Sequence, residues 1–170
     1  RNRQYVYYEV PAGGNGGFLE HDGPNAMVNV DFGNLPSIQT AESIENEMPI
    51  LVERCELRMD SGGEGASRGG LGMRREVRLL DPEASYSVLS DRAVIPPFGV
   101  RGGSSGAPYI VSVIRDGEER LFETPGKVTG HTIRKNDIVV MRSAGGGGYG
   151  DPLRRDPQKV LNDVASGYIS

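Results

Sequence analysis

The chain has 170 residues, 36% of them hydrophobic, with 19 basic and 23 acidic side chains for a net charge of −4. That balance suits a single globular unit rather than a disordered chain, and the acidic surplus argues against a nucleic-acid groove or an anionic membrane surface. No apolar run reaches the roughly 18 residues of a membrane span, and Cys55, as the only cysteine, rules out an internal disulfide and suits a reducing, cytoplasmic compartment.

The opening "RNRQYVYYEV" has no methionine, and it reads as the middle of a longer protein rather than a start. Alternation of apolar and polar residues predicts strands at 4–10 and 26–32. Residues 40–48 read as a short helix, with Thr40 or Ser43 as cap and Pro49 as stop. Strands follow at 50–59, 73–80, 85–91 and 109–115. The Asp116-Gly117 pair predicts a hairpin turn, because both central positions accept a positive φ, and 119–123 is its returning strand. Residues 137–143 form the last strand. Asp156, Pro157 and Gly167 frame a C-terminal helix as N-cap, first helical residue and C′. The expected class is mainly β (α+β): a glycine-rich antiparallel β domain with one short internal helix and a C-terminal helix. No linker divides it, so residues 1–170 read as one region.

Glycine is about twice as frequent as usual and gathers in runs at 11–17, 61–72, 101–106 and 145–150. The last run, "SAGGGGYGDP", fits G-x-G-x-x-G after a strand and raises a nucleotide-binding reading. Its context refutes that reading. The glycines do not open a helix directly, no second strand with an acidic residue follows, and no Lys-Ser/Thr closes a phosphate loop. A turn that lets two backbones pass closely is the better reading. Arg68 and Arg101 stand beside glycine pairs, where each guanidinium is expected to pair with an acid of a neighbouring loop.

Candidate chemistry is sparse. Glu20, His21 and Asp22 are adjacent, but neighbours on an extended chain point opposite ways, so they do not converge on a metal unaided. A polar loop at a pocket mouth and a structural loop both remain open for 20–27. His131 reads as structural, and Cys55 as a buried, inert thiol. The segment "GGSSGAP" lacks the strand–nucleophile–helix order of a serine elbow. The residues by themselves give a glycine-rich β scaffold without a complete catalytic set.

Taken in order, "YYEVPAGGNGG", "HDGPNAMVNV", "ILVERCELRMDSGGEGASRGGLGMRREVRLL", "LSDRAVIPPFGVRGGSSGAP" and "SAGGGGYGDP" resemble successive blocks of the hydantoinase B/oxoprolinase family, toward the C-terminal part of its B subunit. The resemblance implies part of an ATP-dependent cyclic-amide hydrolase acting on hydantoins, 5-oxoproline or lactams. The alternatives are the equivalent part of an acetone/acetophenone-type carboxylase and a non-catalytic assembly module. It implies as partners the remainder of the B subunit and an actin-like A subunit that handles ATP with Mg. It places any divalent metal in the preceding part of the B subunit and none on this chain. By the same resemblance His21, Asn25, Asn29 and Arg101 are candidate pocket or interface residues. In "RGGLG" the family often has a polar residue where this chain has Leu71, so an apolar contact is expected there.

Overall fold

The computed structural model describes residues 4–28 and 39–170. Strands β1 (Ile50–Leu57), β2 (Met73–Leu79), β3 (Glu83–Leu89), β4 (Ile110–Arg115), β5 (Glu118–Leu121), β6 (Lys127–Arg134) and β7 (Ile138–Arg142) form two sheets. The larger has five strands in the order β1-β2-β7-β4-β5, and β3 pairs with β6 in the smaller. Every pairing within the sheets is antiparallel. Helix α1 (Ala41–Glu47) leads into β1, and α2 (Pro157–Ala165) follows a short 3-10 turn at Pro152–Arg154. The expected mainly-β class, with one internal and one C-terminal helix, holds.

The strands form because alternate side chains have a common side to bury. On the five-stranded sheet Val77 and Leu79 of β2, Val111 and Val113 of β4, and Val139 and Met141 of β7 point inward. Ile133 of β6, with Ala84, Tyr86 and Val88 of β3, covers them from the smaller sheet, and Ile44 of α1 seals one end. Burying such a side chain contributes about 1.5–3 kcal/mol, enough for three strands' worth of valines to hold the two layers together.

The opposite face of the larger sheet carries a lattice of charge. Arg54, Glu56, Arg74 and Glu76 pair across β1 and β2, and Glu53 joins Arg78. Arg142 of β7 forks onto Glu119 of β5 at 2.5 and 3.0 Å. The long stems lie over the sheet, so that Val140 and Ser112 beneath them have no exposed surface.

Several turns have the chemistry the sequence announced. Thr40 caps α1 by accepting from the Ser43 N–H, and Asp156 caps α2 by accepting from the Gln158 N–H. Asp116 and Gly117 both have positive φ, 53° and 82°, as a two-residue hairpin of this kind requires.

Three expectations need correction. Residues 4–10 join no ladder among the described residues. Their alternation arises because the extended segment lies over the core, with Tyr7 packed on it and Glu9 paired to Arg75 at 2.9 Å. Strand β6 was not expected, because Gly130 and a run of polar residues blur its alternation; His131 sits within it, edge-on to Phe122 at 5.0 Å. Cys55 is exposed, since β1 is an edge strand whose second half faces solvent. The strand expected at 26–32 lies mostly outside the described residues.

The glycine runs form a second structural unit, a bundle of four arms around residues 143–150. Ala144 and Gly147 carbonyls accept from Gly14 and Gly17 N–H at 2.9 and 2.8 Å. Gly145 and Gly148 N–H donate to Ala107 and Ser104 at 3.1 and 2.9 Å. Gly146 and Tyr149 N–H donate to Gly70 and Ser67, both at 2.9 Å. Each pair is three residues apart, the period of a polyproline II-type helix, which has no internal hydrogen bonds and turns successive residues to three sides. The central arm therefore satisfies its backbone by bonding outward to a different neighbour on each side. A Cβ on Gly145 would strike the Ser61 carbonyl, and one on Gly146 the Asn15 carbonyl.

Two predictions follow from this packing. Gly146→Ala should lower the free energy of unfolding by about 3 kcal/mol, the upper range for overpacking. Gly117→Ala, with open space around its Cβ but a left-handed backbone, should cost about 1 kcal/mol. Urea denaturation midpoints compare them, and equal losses would mean the bundle is not close-packed. The second concerns Glu119, whose carboxyl is held down to about 2 by the Arg142 fork, against burial and with help from Ser112. A depressed carboxylate stabilises the fold above its ordinary pKa near 4.5 and loses that contribution as pH falls toward 2. Arg142→Met should raise the Glu119 pKa in an NMR titration and flatten this part of the stability–pH curve.

Candidate functional site

The loops at the end of the bundle converge on four charged side chains from distant parts of the sequence. Asp22 accepts both prongs of the Arg155 guanidinium, at 2.7 and 2.9 Å, and the Arg68 N–H at 2.6 Å. Arg155 also reaches Asp163 of α2 at 2.6 Å, and the Arg68 side chain meets the same carboxylate at 3.3 Å. Arg68 and Asp163 are buried. Burial opposes ionisation of Asp22, but the fork from Arg155 and the N–H of Arg68 outweigh it and hold its carboxyl below the usual range. Two arginines and two aspartates balance, which is what allows them to be buried at all.

Asn25 completes this junction: its Oδ1 accepts from the Leu71 N–H at 2.8 Å and from Arg68 at 3.3 Å. Leu71, where the family resemblance implied a polar side chain, is fully buried. His21 is exposed and stacked on Phe18 at 5.2 Å. Arg101 is also exposed, with φ +51° and its guanidinium 5.9 Å from the Tyr149 ring centre. Among the described residues no hydrogen bond joins His21, Asn25 and Arg101, and Asn29 lies outside those residues. The expected pairing of Arg68 with an acid of another segment is present; Arg101 instead rests on an aromatic ring. Arg155 and Asp163 were missed by sequence reasoning. Asp163 left one trace, an acid beside the apolar positions Val160 and Val164 of the helix.

Beside the junction lies a cleft of about 560 Å³, lined by Arg68, Arg155 and Asp163 together with Pro157, Val160 and Leu161. The Nε of Arg155 is enclosed by the chain's own atoms without a hydrogen-bond partner. A second cavity, about 550 Å³, separates the two sheets and is lined by Tyr5, Tyr7, Tyr86 and apolar core residues. Close to it Glu9 accepts from Arg75 and Tyr7. Burial and the nearby Glu9 carboxylate push the Tyr109 hydroxyl up to about 12, so it stays neutral.

The glycine arm does not fit a phosphate. Its amide groups at Gly145, Gly146, Gly148, Tyr149 and Gly150 already donate to other arms, leaving no cradle of free N–H groups. Among the described residues no group of three or more His, Cys, Asp or Glu side chains is placed to hold a metal ion, and no helix is long and apolar enough to cross a membrane.

The hydantoinase B/oxoprolinase family model matches residues 1–152. The chain belongs to that family. Over 98% of its length it is 36% identical to a Pseudomonas sp. (strain NS671) protein assigned as the B subunit of a D-/L-hydantoinase, of which it covers 28%. The crystal structure of ATP-dependent caprolactamase from Pseudomonas jessenii superimposes on 94% of the chain with a TM-score of 0.75 and 32% identity, again over 28% of the longer molecule. A nucleotide-free acetone carboxylase superimposes on 93% of the chain with a TM-score of 0.78 but 22% identity, and the match covers 25% of that longer chain, which shows a shared fold. This hydantoinase B-type chain spans less than a third of the length of the curated relatives it matches.

The junction fastens α2 to the glycine bundle, so a change there has a defined expected outcome. Asp163→Asn leaves two buried guanidinium groups short of a countercharge and should cost about 3 kcal/mol, as breaking a buried pair does. Denaturant unfolding measures the loss, and hydrogen exchange should show it first in α2. A change under about 0.5 kcal/mol, the range of ordinary surface substitutions, would contradict this account.

Proposed function

We propose that this chain is the C-terminal region, residues 1–170, of the B subunit of an ATP-dependent enzyme that opens cyclic amides. The observation that carries this reading is the 36% identity to the hydantoinase B subunit across nearly the whole chain. The 32% identity to the solved ATP-dependent caprolactamase supports it, because both names describe hydrolysis of a ring amide. An amide carbon is a poor electrophile, and transfer of a phosphoryl group to its oxygen activates it. Water adds to that carbon, and the C–N bond breaks with the protonated nitrogen leaving as an amine. A second water hydrolyses the resulting acyl phosphate to carboxylate and phosphate. In this reading the nucleotide and its Mg lie on an actin-like A subunit, since the amide groups of the glycine arm here are taken up by the neighbouring arms. The assembly is cytoplasmic, and any divalent metal is held by the remainder of the B subunit.

The chain's own contribution is support and contact. The junction of Asp22, Asn25, Arg68, Arg155 and Asp163 fixes the loop that carries His21 and the ends of the glycine arms. His21 and Arg101, exposed on those loops, are the positions we assign to the substrate pocket or to a subunit interface, with Asn25, bonded to Arg68 and Leu71, and Asn29 as further candidates in the sequence segment of His21. Arginine presents a fixed fork to a carboxylate or phosphate, which suits Arg101 to an anionic group of a partner or a phosphorylated intermediate.

The assembly purified with all its chains decides the matter when offered a hydantoin, 5-oxoproline and caprolactam in turn, with and without ATP. The expected result is ATP-dependent ring opening of one of them, with phosphate released in step and no requirement for bicarbonate. Consumption that depends on bicarbonate would place the enzyme with the carboxylases, and ring opening without ATP would overturn the mechanism. Arg101→Ala should lower kcat/KM by at least tenfold, about 1.4 kcal/mol, while leaving the unfolding midpoint of the assembly unchanged.

A further inference from the structure

Helix α2 is attached the wrong way round for an ordinary surface helix. Such a helix turns its apolar stripe to the core and its charges to water. Here Asp163 is its only buried residue, held by Arg68 and Arg155. Leu161 and Val164, three residues apart and so on one side of the helix, are 62% and 49% exposed, and Leu153 on the preceding turn is 94% exposed. Leu161 and Val160 continue into the cleft described above, together with Pro152, Pro157 and Ile169. Arg68, Arg155 and Asp163 also line that cleft.

From this exposed apolar side we infer that Leu153, Leu161, Val164 and the adjoining cleft form an internal docking face, covered by the part of the same B subunit that lies outside the stretch this chain matches. The relatives contain that additional polypeptide: this chain accounts for 28% of the hydantoinase protein and 28% of the solved caprolactamase chain. The occupant is an apolar, uncharged ridge. An uncharged ridge is required because Arg68 and Arg155 are already balanced by Asp22 and Asp163, and Glu64 at the cleft opposes an added anion. The inference rests on the family membership and is independent of which ring the enzyme opens.

The test uses the complete polypeptide in its native assembly, with a photoreactive benzoylphenylalanine in place of Leu161. Mixing light and heavy isotope-labelled copies separates contacts within one polypeptide from contacts between copies. The expected cross-link joins Leu161's position to the same polypeptide, upstream of the region equivalent to this chain. A cross-link to another subunit, to a second copy or to no polypeptide would overturn the inference. As an independent measurement, Leu161→Lys with Val164→Lys in the complete polypeptide should speed limited proteolysis between its two parts at least tenfold. Leu121→Lys, at an equally exposed leucine on β5, should leave that rate unchanged. Equal rates for the two variants would also overturn the inference. Neither readout requires turnover, so loss of the ring-opening assignment and loss of this contact are separate results.

Discussion

A chain of main-chain hydrogen bonds spaced three residues apart holds this molecule's second half together. Residues 144 to 149 bond to Gly14 and Gly17 on one side, to Ala107 and Ser104 on another, and to Gly70 and Ser67 on the third. A sheet satisfies its backbone within one plane and a helix satisfies it internally. This arm does neither, and its groups are satisfied only because three other arms are within reach. That reach is set by the absence of side chains. The usual division of labour, in which side chains pack and the backbone bonds, is suspended here, since the backbones do both.

The β layers and the glycine bundle are therefore stabilised by different physics. The inner face of the sheets is held by apolar burial around Val77, Val111, Val113, Val139 and Met141. The bundle buries little apolar surface and depends on geometry, with the Asp22–Arg155–Asp163–Arg68 junction closing one end. The two meet in Ser143, at the end of β7, whose hydroxyl donates to the Ala12 carbonyl at 2.5 Å and accepts from the Met73 N–H at 2.8 Å. Local charge thus serves position more than stability, a common outcome when ions are buried in balanced sets.

The regular elements were legible in the sequence because their signals are local. Thr40, Asp156 and Gly167 mark helix ends through bonds to residues two or three positions away, Pro157 does so through its fixed φ, and β2, β4 and β7 are short valine- and isoleucine-rich runs. Strand β6 escaped because only Ile133 within it is buried, so alternation had little to report. The segment at 4–10 alternates for the opposite reason: lying across a core gives the same two-sided pattern as pairing in a sheet. Of the junction, Asp22 and Arg68 were noticed singly, but their partners are 133 and 95 positions away. No spacing rule connects residues that far apart. The last glycine run reads in sequence as a turn that lets two backbones pass closely; the close passage is present, but residues 143–148 are an extended arm and not a turn. That the glycine runs pass one another in threefold order depends on which runs meet, which is a property of the fold alone.

The arm at the centre of the bundle is also the last of the four in chain order, with its partners at 11–17, 61–72 and 97–107. During synthesis the three outer arms leave the ribosome with nothing to wind around. The valine-rich sheet is in the same position, because β7 lies between β2 and β4 and directly precedes the central arm. One stretch of about a dozen residues, emerging late, inserts the middle strand of one layer and the axis of the other. Such long-range closure makes for slow folding, and it gives the chain a single moment at which both halves become complete.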